Sequence, residues 1–344
     1  MNTNQSSPTI ESTNWRDWAR SHLRVWQLAV GAVLAVLFLW LAFRDVPLVE
    51  VREALRWLSW GWVGLALLLS TLGTIARAAR WRLLYYPDQQ AQDIGHLSGV
   101  LFISQALNVL VPLRAGELAR LYLVREARAA RTLGSIAVEK LLDMLALLTF
   151  LLVLPLLVGL PDWFRESSQG FILLALGLFG LSLLLFFTRK RLLGWLSIFL
   201  RFLPGKWYDR LQSILDQALQ GLDVFAAPLI GVQLQGWSVL IWGIGAAVNG
   251  ILMRAMGLTL PLAAPLFLLL VLQVGISVPS TPGKLGVFQY LVILALAAFG
   301  VEKGLSLSYS LLLYLVAFGP HLAFGALFAV WMGHRLKLKG ESKV

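Results

Sequence analysis

Apolar runs recur along the whole chain, at 25–43, 61–79, 97–113, 133–158, 171–188, 229–253, 261–279, 283–300 and 305–331. Most reach roughly 18 residues, the length a helix needs to cross the hydrocarbon core of a bilayer. Lipid cannot satisfy backbone polar groups, so such runs must be helices or strands of a closed barrel. These are continuous and Leu-rich, without the two-residue alternation of barrel strands. The expected fold is therefore all-α: a polytopic transmembrane helical bundle. The composition agrees, with 58% hydrophobic and only 14% charged residues, more apolar than a soluble domain of this size sustains.

Charge orients the bundle. The formal net charge is +11, but the basic residues are scattered between runs, so they point to cytoplasmic loops and anionic lipid rather than to nucleic acid. Segment 189–223 carries six basic and three acidic residues, 114–131 five and two, and 333–344 four and one. Segment 44–60 is balanced at three each, and 159–170 has one basic and two acidic. Basic loops stay inside, which places both termini in the cytoplasm of an inner-membrane protein. The polar segment 1–24 precedes a retained first span, and 189–228 has the apolar spacing of an amphipathic surface helix joining the halves 25–188 and 229–332. Residues 333–344 read as a basic tail.

One run breaks this scheme. Arg77, Arg80 and Arg82 make 77–96 look cytoplasmic, yet only 97–113 separates it from the equally basic 114–131. Both can be inside only if 97–113 enters and leaves by one face. That run is short and interrupted by Ser104, Gln105, Asn108 and Pro112, as in a re-entrant broken helix buried in protein. The second half repeats the feature. Pro112, Gly116, Glu117, Leu118 and Ala119 correspond to Pro279, Gly283, Lys284, Leu285 and Gly286, at an offset of 167. Interrupted segments at matching places in two halves point to a transporter site at the repeat interface. The tail charges favour about eight crossings plus at least one re-entrant element, with 261–279 and 283–300 as full spans. A strict inverted repeat would instead make 261–279 re-entrant.

Three polar groups stand out. Arg114, Glu117 and Arg120 follow the first break at spacings of three, on one helix face; the plainer reading is a helix stabilised by its own ion pairs. Glu139 and Asp143 lie four apart within an apolar run, where ionisable side chains are costly and mark function by default. A buried salt bridge to Arg77, Arg114 or Lys284 is the competing reading, with Lys140 snorkelling elsewhere. Lys284 opens the segment after PSTPG, where a helix start and an ammonium suit phosphate. Arg77 and Arg80 are further candidate head-group contacts. No metal or other cofactor is expected: His96, His321 and His334 are isolated, and there is no cysteine. Trp57, Trp60, Trp62, Trp81, Trp163, Trp195 and Trp331 fall near run ends and read as interfacial anchors.

NVLVPLRAGELARLYLV, GSIAVEKLLDMLALL and SVPSTPGKLGVFQYLVILALAAFGV, in that order, resemble the transmembrane family of lysylphosphatidylglycerol synthase over residues 25–331. The resemblance implies a flippase-like inner-membrane protein handling a phospholipid or lipid-linked head group. It carries the family's R-x-G-E-x-x-R element onto Arg114, Gly116, Glu117 and Arg120, and its acidic-basic-x-x-Asp element onto Glu139, Lys140 and Asp143. Its P-x-x-P-G-x-x-G element falls on Pro279, Pro282, Gly283 and Gly286. Gln289 stands where the family often has Glu. The full synthase adds an aminoacyl-transferase domain after its membrane part; this chain ends at Val344, so a non-enzymatic protein is expected. The leading expectation is a flippase or scramblase with a polar groove open to the bilayer. The alternative is a non-transporting subunit presenting lipid to a glycosyltransferase or synthase, and a membrane-embedded enzyme ranks below both. The family implies a homodimer.

Overall fold

The computed structural model describes residues 36–44, 48–86, 92–111, 115–124, 129–157, 228–276 and 281–341, with single positions at 33, 46, 90, 173 and 177. The expectations for 1–24, for the run at 171–188 and the surface helix at 189–228, and for Pro112, Arg114 and Pro279 lie outside the described residues, apart from those single positions and residue 228. Among the described residues every regular element is a helix: α1 (Leu48–Arg56), α2 (Trp60–Leu83), α3 (Ile94–Leu110), α4 (Ala115–Leu123), α5 (Ala129–Leu157), α6 (Pro228–Ala255), α7 (Ala263–Gly275), a 3-10 turn (Pro282–Lys284), α8 (Val287–Ala297) and α9 (Lys303–Glu341). The protein is an all-α membrane bundle, and the helices Trp60–Leu83, Leu229–Ala255 and Lys303–Gly333 are each long and apolar enough to cross. Helix α9 continues into the basic tail as far as Glu341.

Helix directions follow from pairwise contacts. Ser59 N–H donates to the Ala255 carbonyl (3.0 Å) and Arg80 to Ser238 (2.8 Å), so α6 runs antiparallel to α2. Lys303 Nζ donates to the Arg44 carbonyl (2.6 Å), and Thr74 Oγ1 meets His321 Nε2 at 3.0 Å. Helix α9 therefore starts on the side where α2 starts, and ends where α2 ends. Small residues let α3 lie close along α9: a Cβ on Gly325 would come within 2.8 Å of both Ala106 Cβ and the Phe102 carbonyl.

The break after Leu110 produces a helical hairpin. Asp93 caps the start of α3 by accepting from the His96 N–H (2.8 Å). Farther along, the Gly116 N–H donates to Asn108 Oδ1 (2.9 Å) and Ser104 Oγ donates to the Gly116 carbonyl (2.8 Å). His96 Nε2 lies 3.2 Å from the Leu123 carbonyl, so α4 returns along α3 to its base. Only glycine permits this approach, since a Cβ at 116 would sit 1.8 Å from the Ser104 carbonyl oxygen. Ser104 and Asn108, two of the polar residues that interrupt the apolar run, are the groups that close the hairpin.

The second break makes a second hairpin. Gly275 faces Leu291, and Phe267 packs its ring edge-on against Phe299 at 5.8 Å, so α8 returns along α7. The segments read as separate spans, 261–279 and 283–300, are the arms of this hairpin. At about 1.5 Å per residue, arms of 13 and 11 residues reach only ~20 and ~17 Å, short of a ~30 Å hydrocarbon core. At its tip Gly283 and Gly286 take φ +65° and +81°, a region open to residues without a Cβ. Gln289 accepts from the Gly286 N–H through Oε1 (2.7 Å), capping α8.

The two hairpins open on opposite sides of the bundle. The base of α3–α4 lies where α2 and α9 end; that of α7–α8 lies where α6 ends and α9 begins. Their tips meet, with a Cβ on Gly283 placed 3.6 Å from the Val109 carbonyl. Tyr314 of α9 braces this junction by donating to the Gly283 carbonyl (2.7 Å). The sequence match between the two breaks is thus a match of form and of mutual contact.

Candidate functional site

Beside the first hairpin, α2, α4, α5 and α6 enclose a network of charges. Glu139 and Asp143 share a face of α5, as their spacing requires. Arg80 Nη1 of α2 donates to Asp143 Oδ1 (2.6 Å) and to Ser238 Oγ of α6 (2.8 Å), while its Nη2 stands 3.6 Å from Glu139 Oε1. Arg120 of α4 donates to Glu139 Oε2 (3.0 Å). Trp242 Nε1 gives Asp143 a second donor at 3.1 Å. Arg80 and Arg120 are 1% and 4% exposed, Glu139 and Asp143 5% and 7%, so the four charges are matched two against two in the interior. Removing one partner of such a set strands a buried charge, at about 3–5 kcal/mol.

Aromatic rings form the walls. The Arg120 guanidinium lies 4.3 Å from the Trp81 ring centroid, and Arg77 lies 5.5 Å from that of Trp242. Trp81 is not the interfacial anchor expected of it. It is fully buried, and its Nε1 donates to Ser135 Oγ (3.0 Å), because the end of α2 is covered by α5 rather than by head groups. Trp57, Trp60, Trp62 and Trp331 remain exposed, as an interfacial belt requires.

The partners differ from those expected. Arg80 and Arg120, not Arg77 or Lys284, neutralise the two acids of α5. Among the described residues helix α4 is not held by its own ion pairs either: Arg120 reaches Glu139, and Glu117 pairs with Lys140 at 3.3 Å. Lys140 therefore does not simply snorkel. The anticipated open groove is also revised, because Arg120, Glu139 and Asp143 are buried while Glu117 and Lys140 face outward. Lys284 stands apart at the tip of the second hairpin, its ammonium 5.3 Å from the Phe318 ring centroid. Ser238, Trp242, Thr74 and His321 were missed. The first three are ordinary residues of apolar runs, and His321 is a lone histidine whose partner lies 247 positions away. Among the described residues no group of three or more His, Asp or Glu could hold a metal ion.

Two short-armed hairpins meeting tip to tip beside a neutralised buried charge network define a polytopic membrane protein of the broken-helix kind. Residues 27–325 match the lysylphosphatidylglycerol synthase TM region family. The chain belongs to that family. No curated protein and no solved structure matches it.

Proposed function

We propose that this protein binds a phospholipid or lipid-linked anionic head group and carries it across the inner membrane as a flippase or scramblase. One observation carries the reading: the two interrupted segments form hairpins from opposite sides whose tips touch at Val109 and Gly283. Such breaks are tolerated within a membrane where they are buried in protein or line a polar path, and at a repeat interface they mark a substrate site. The family match supports a lipid-related role. Both termini lie in the cytoplasm on this reading, since α9 ends on the same side as the arginine-rich end of α2. The protein has no catalytic role in this scheme, in which the buried carboxylates are bonded to arginines.

Reconstitution into vesicles containing a head-group-labelled fluorescent phospholipid tests the proposal. Dithionite added outside should quench beyond the outer leaflet only when the protein is present. Glu117→Gln should slow that further quenching. Its partly exposed pair with Lys140 is worth under about 1 kcal/mol to folding, so a loss of activity would be functional. Quenching that stops at the outer leaflet for the native protein, across phosphatidylglycerol and phosphatidylethanolamine probes, would leave lipid presentation as the better reading.

A further inference from the structure

We propose that Gly319 and Pro320 form a hinge in α9, about which the second hairpin rocks away from a fixed first hairpin. On the translocation reading above this motion opens the polar path, and that reading gives the hinge its purpose.

Helix α9 is one element, Lys303–Glu341, yet its two parts serve different hairpins. Before Pro320 its side chains hold the second. Tyr314 donates to the Gly283 carbonyl at the tip (2.7 Å), and the Tyr314 and Phe318 rings meet Phe288 of α8 edge-on at 5.5 and 5.6 Å. At the base, Asn249 of α6 donates to the Pro265 carbonyl of α7 (3.1 Å), and its own carbonyl accepts from Tyr309 (2.9 Å). The second hairpin and the first half of α9 are thus joined at base and tip, and tilt as one body. After Pro320 the partners change. His321 meets Thr74 of α2 at 3.0 Å, and the Phe324 and Phe328 rings flank Phe102 of α3 at 5.2 and 6.1 Å. In these contacts the changeover falls between Phe318 and His321.

The backbone is compliant at that point. Pro320 carries no N–H, so the Val316 carbonyl lacks the amide that an uninterrupted helix supplies four residues on. Val316 is 1% exposed, which keeps bulk water from supplying it. Nor does packing call for Gly319, since a Cβ there would meet nothing within 4 Å. A glycine–proline pair near the midpoint of the span Lys303–Gly333 is where a helix bends sharply. Packed bodies on either side of such a point are the elements of a hinge motion.

The charge network decides which hairpin stays still. Arg120 ties the first hairpin to Glu139 of α5 at 3.0 Å, and Arg80 ties α5 to α2 through Asp143 at 2.6 Å. Breaking those buried pairs is costly. Neutral hydrogen bonds and ring contacts hold the second hairpin to α6 and α9, and the tips part where Gly283 meets Val109.

Spin labels test the motion directly, because the chain has no native cysteine. Leu118→Cys on α4 and Leu294→Cys on α8, both exposed, report the separation of the hairpins by double electron–electron resonance in lipid nanodiscs. The otherwise native protein should give two distances. Pro320→Ala restores one backbone hydrogen bond and should reduce the longer-distance population about two- to tenfold, without lowering thermal stability. Gly319→Ala should act in the same direction, and Pro320→Gly, which keeps the backbone compliant, should retain both distances. Labels at Leu118 and Met144, across the charge network from α4 to α5, should give one distance. A single distance between the hairpins, or a longer-distance population unchanged in both Ala variants, overturns the hinge. Two distances across α4 and α5 overturn the fixed first hairpin. The expected distance changes without lipid translocation in vesicles would refute the flippase reading and leave the hinge standing.

Discussion

Replacing Arg80 with methionine isolates the central element of the buried network. Methionine keeps the length and apolar contacts of the side chain but removes the bonds to Asp143 (2.6 Å) and Ser238 (2.8 Å) and the 3.6 Å approach to Glu139. Glu139 retains Arg120 at 3.0 Å. Among the described residues Asp143 then keeps one hydrogen-bond donor, the neutral Trp242 N–H at 3.1 Å, at a side chain 7% exposed. Stranding one buried carboxylate costs about 3–5 kcal/mol, a fall in the folding equilibrium of roughly a hundred- to several-thousand-fold. The companion variant Arg80→Met with Asp143→Asn removes that charge and keeps an acceptor for Trp242. It should recover at least ~2 kcal/mol of the loss, because neighbouring residues in one network couple strongly. Reversible unfolding in mixed detergent–dodecyl sulfate micelles, followed by circular dichroism, measures both. Arg80→Met within ~1 kcal/mol of native would show that Asp143 does not depend on this counter-ion. A double variant no better than Arg80→Met would assign the loss to packing instead of charge.

Three further outcomes are expected. Gly116→Ala should cost at least ~3 kcal/mol or prevent folding, since its Cβ would sit 1.8 Å from the Ser104 carbonyl; yield and thermal aggregation by size exclusion report it. Lys284→Gly should stabilise the protein by up to ~1 kcal/mol by relieving the positive φ, read by the same unfolding measurement. A cysteine at position 340, in a chain with no native cysteine, should resist an impermeant thiol reagent in intact cells and react once the membrane is opened; labelling from outside would reverse the topology.

The bundle and both breaks were legible because the hydrophobic effect and backbone satisfaction act locally: long Leu-rich runs must be helices, and proline and glycine within them must interrupt. The repeat could be read for the same reason, since the two motifs lie on contiguous stretches. Pairing was less accessible. Glu139 and Asp143 could be seen to share a face, but which arginines reach them depends on how α2 and α4 pack, and Arg80 lies 63 positions from Asp143. For 261–300, counting charge could not tell two full spans from one short-armed hairpin, since both leave the C-terminus on the same side. Trp81 was misassigned because a tryptophan near a run end looks alike whether lipid or another helix covers it.

The distance along the chain between Arg80 and its counter-ion matters during synthesis. At roughly 5–20 residues per second, the 63 residues separating Arg80 from Asp143 take about 3 to 13 s to emerge. Through that interval α2 holds Arg77, Arg80 and Arg82 with neither acid of α5 available, at an insertion cost of up to ~3 kcal/mol for each arginine near a membrane centre. The arginines lie in the last two turns of α2 and can reach the interface until α5 arrives. A nascent chain halted before α5 should hold α2 shallow, displaced toward the side on which its arginine-bearing end lies. Docking of α5 would draw Arg80 inward, and α6, bringing Ser238 and Trp242, would complete the network last.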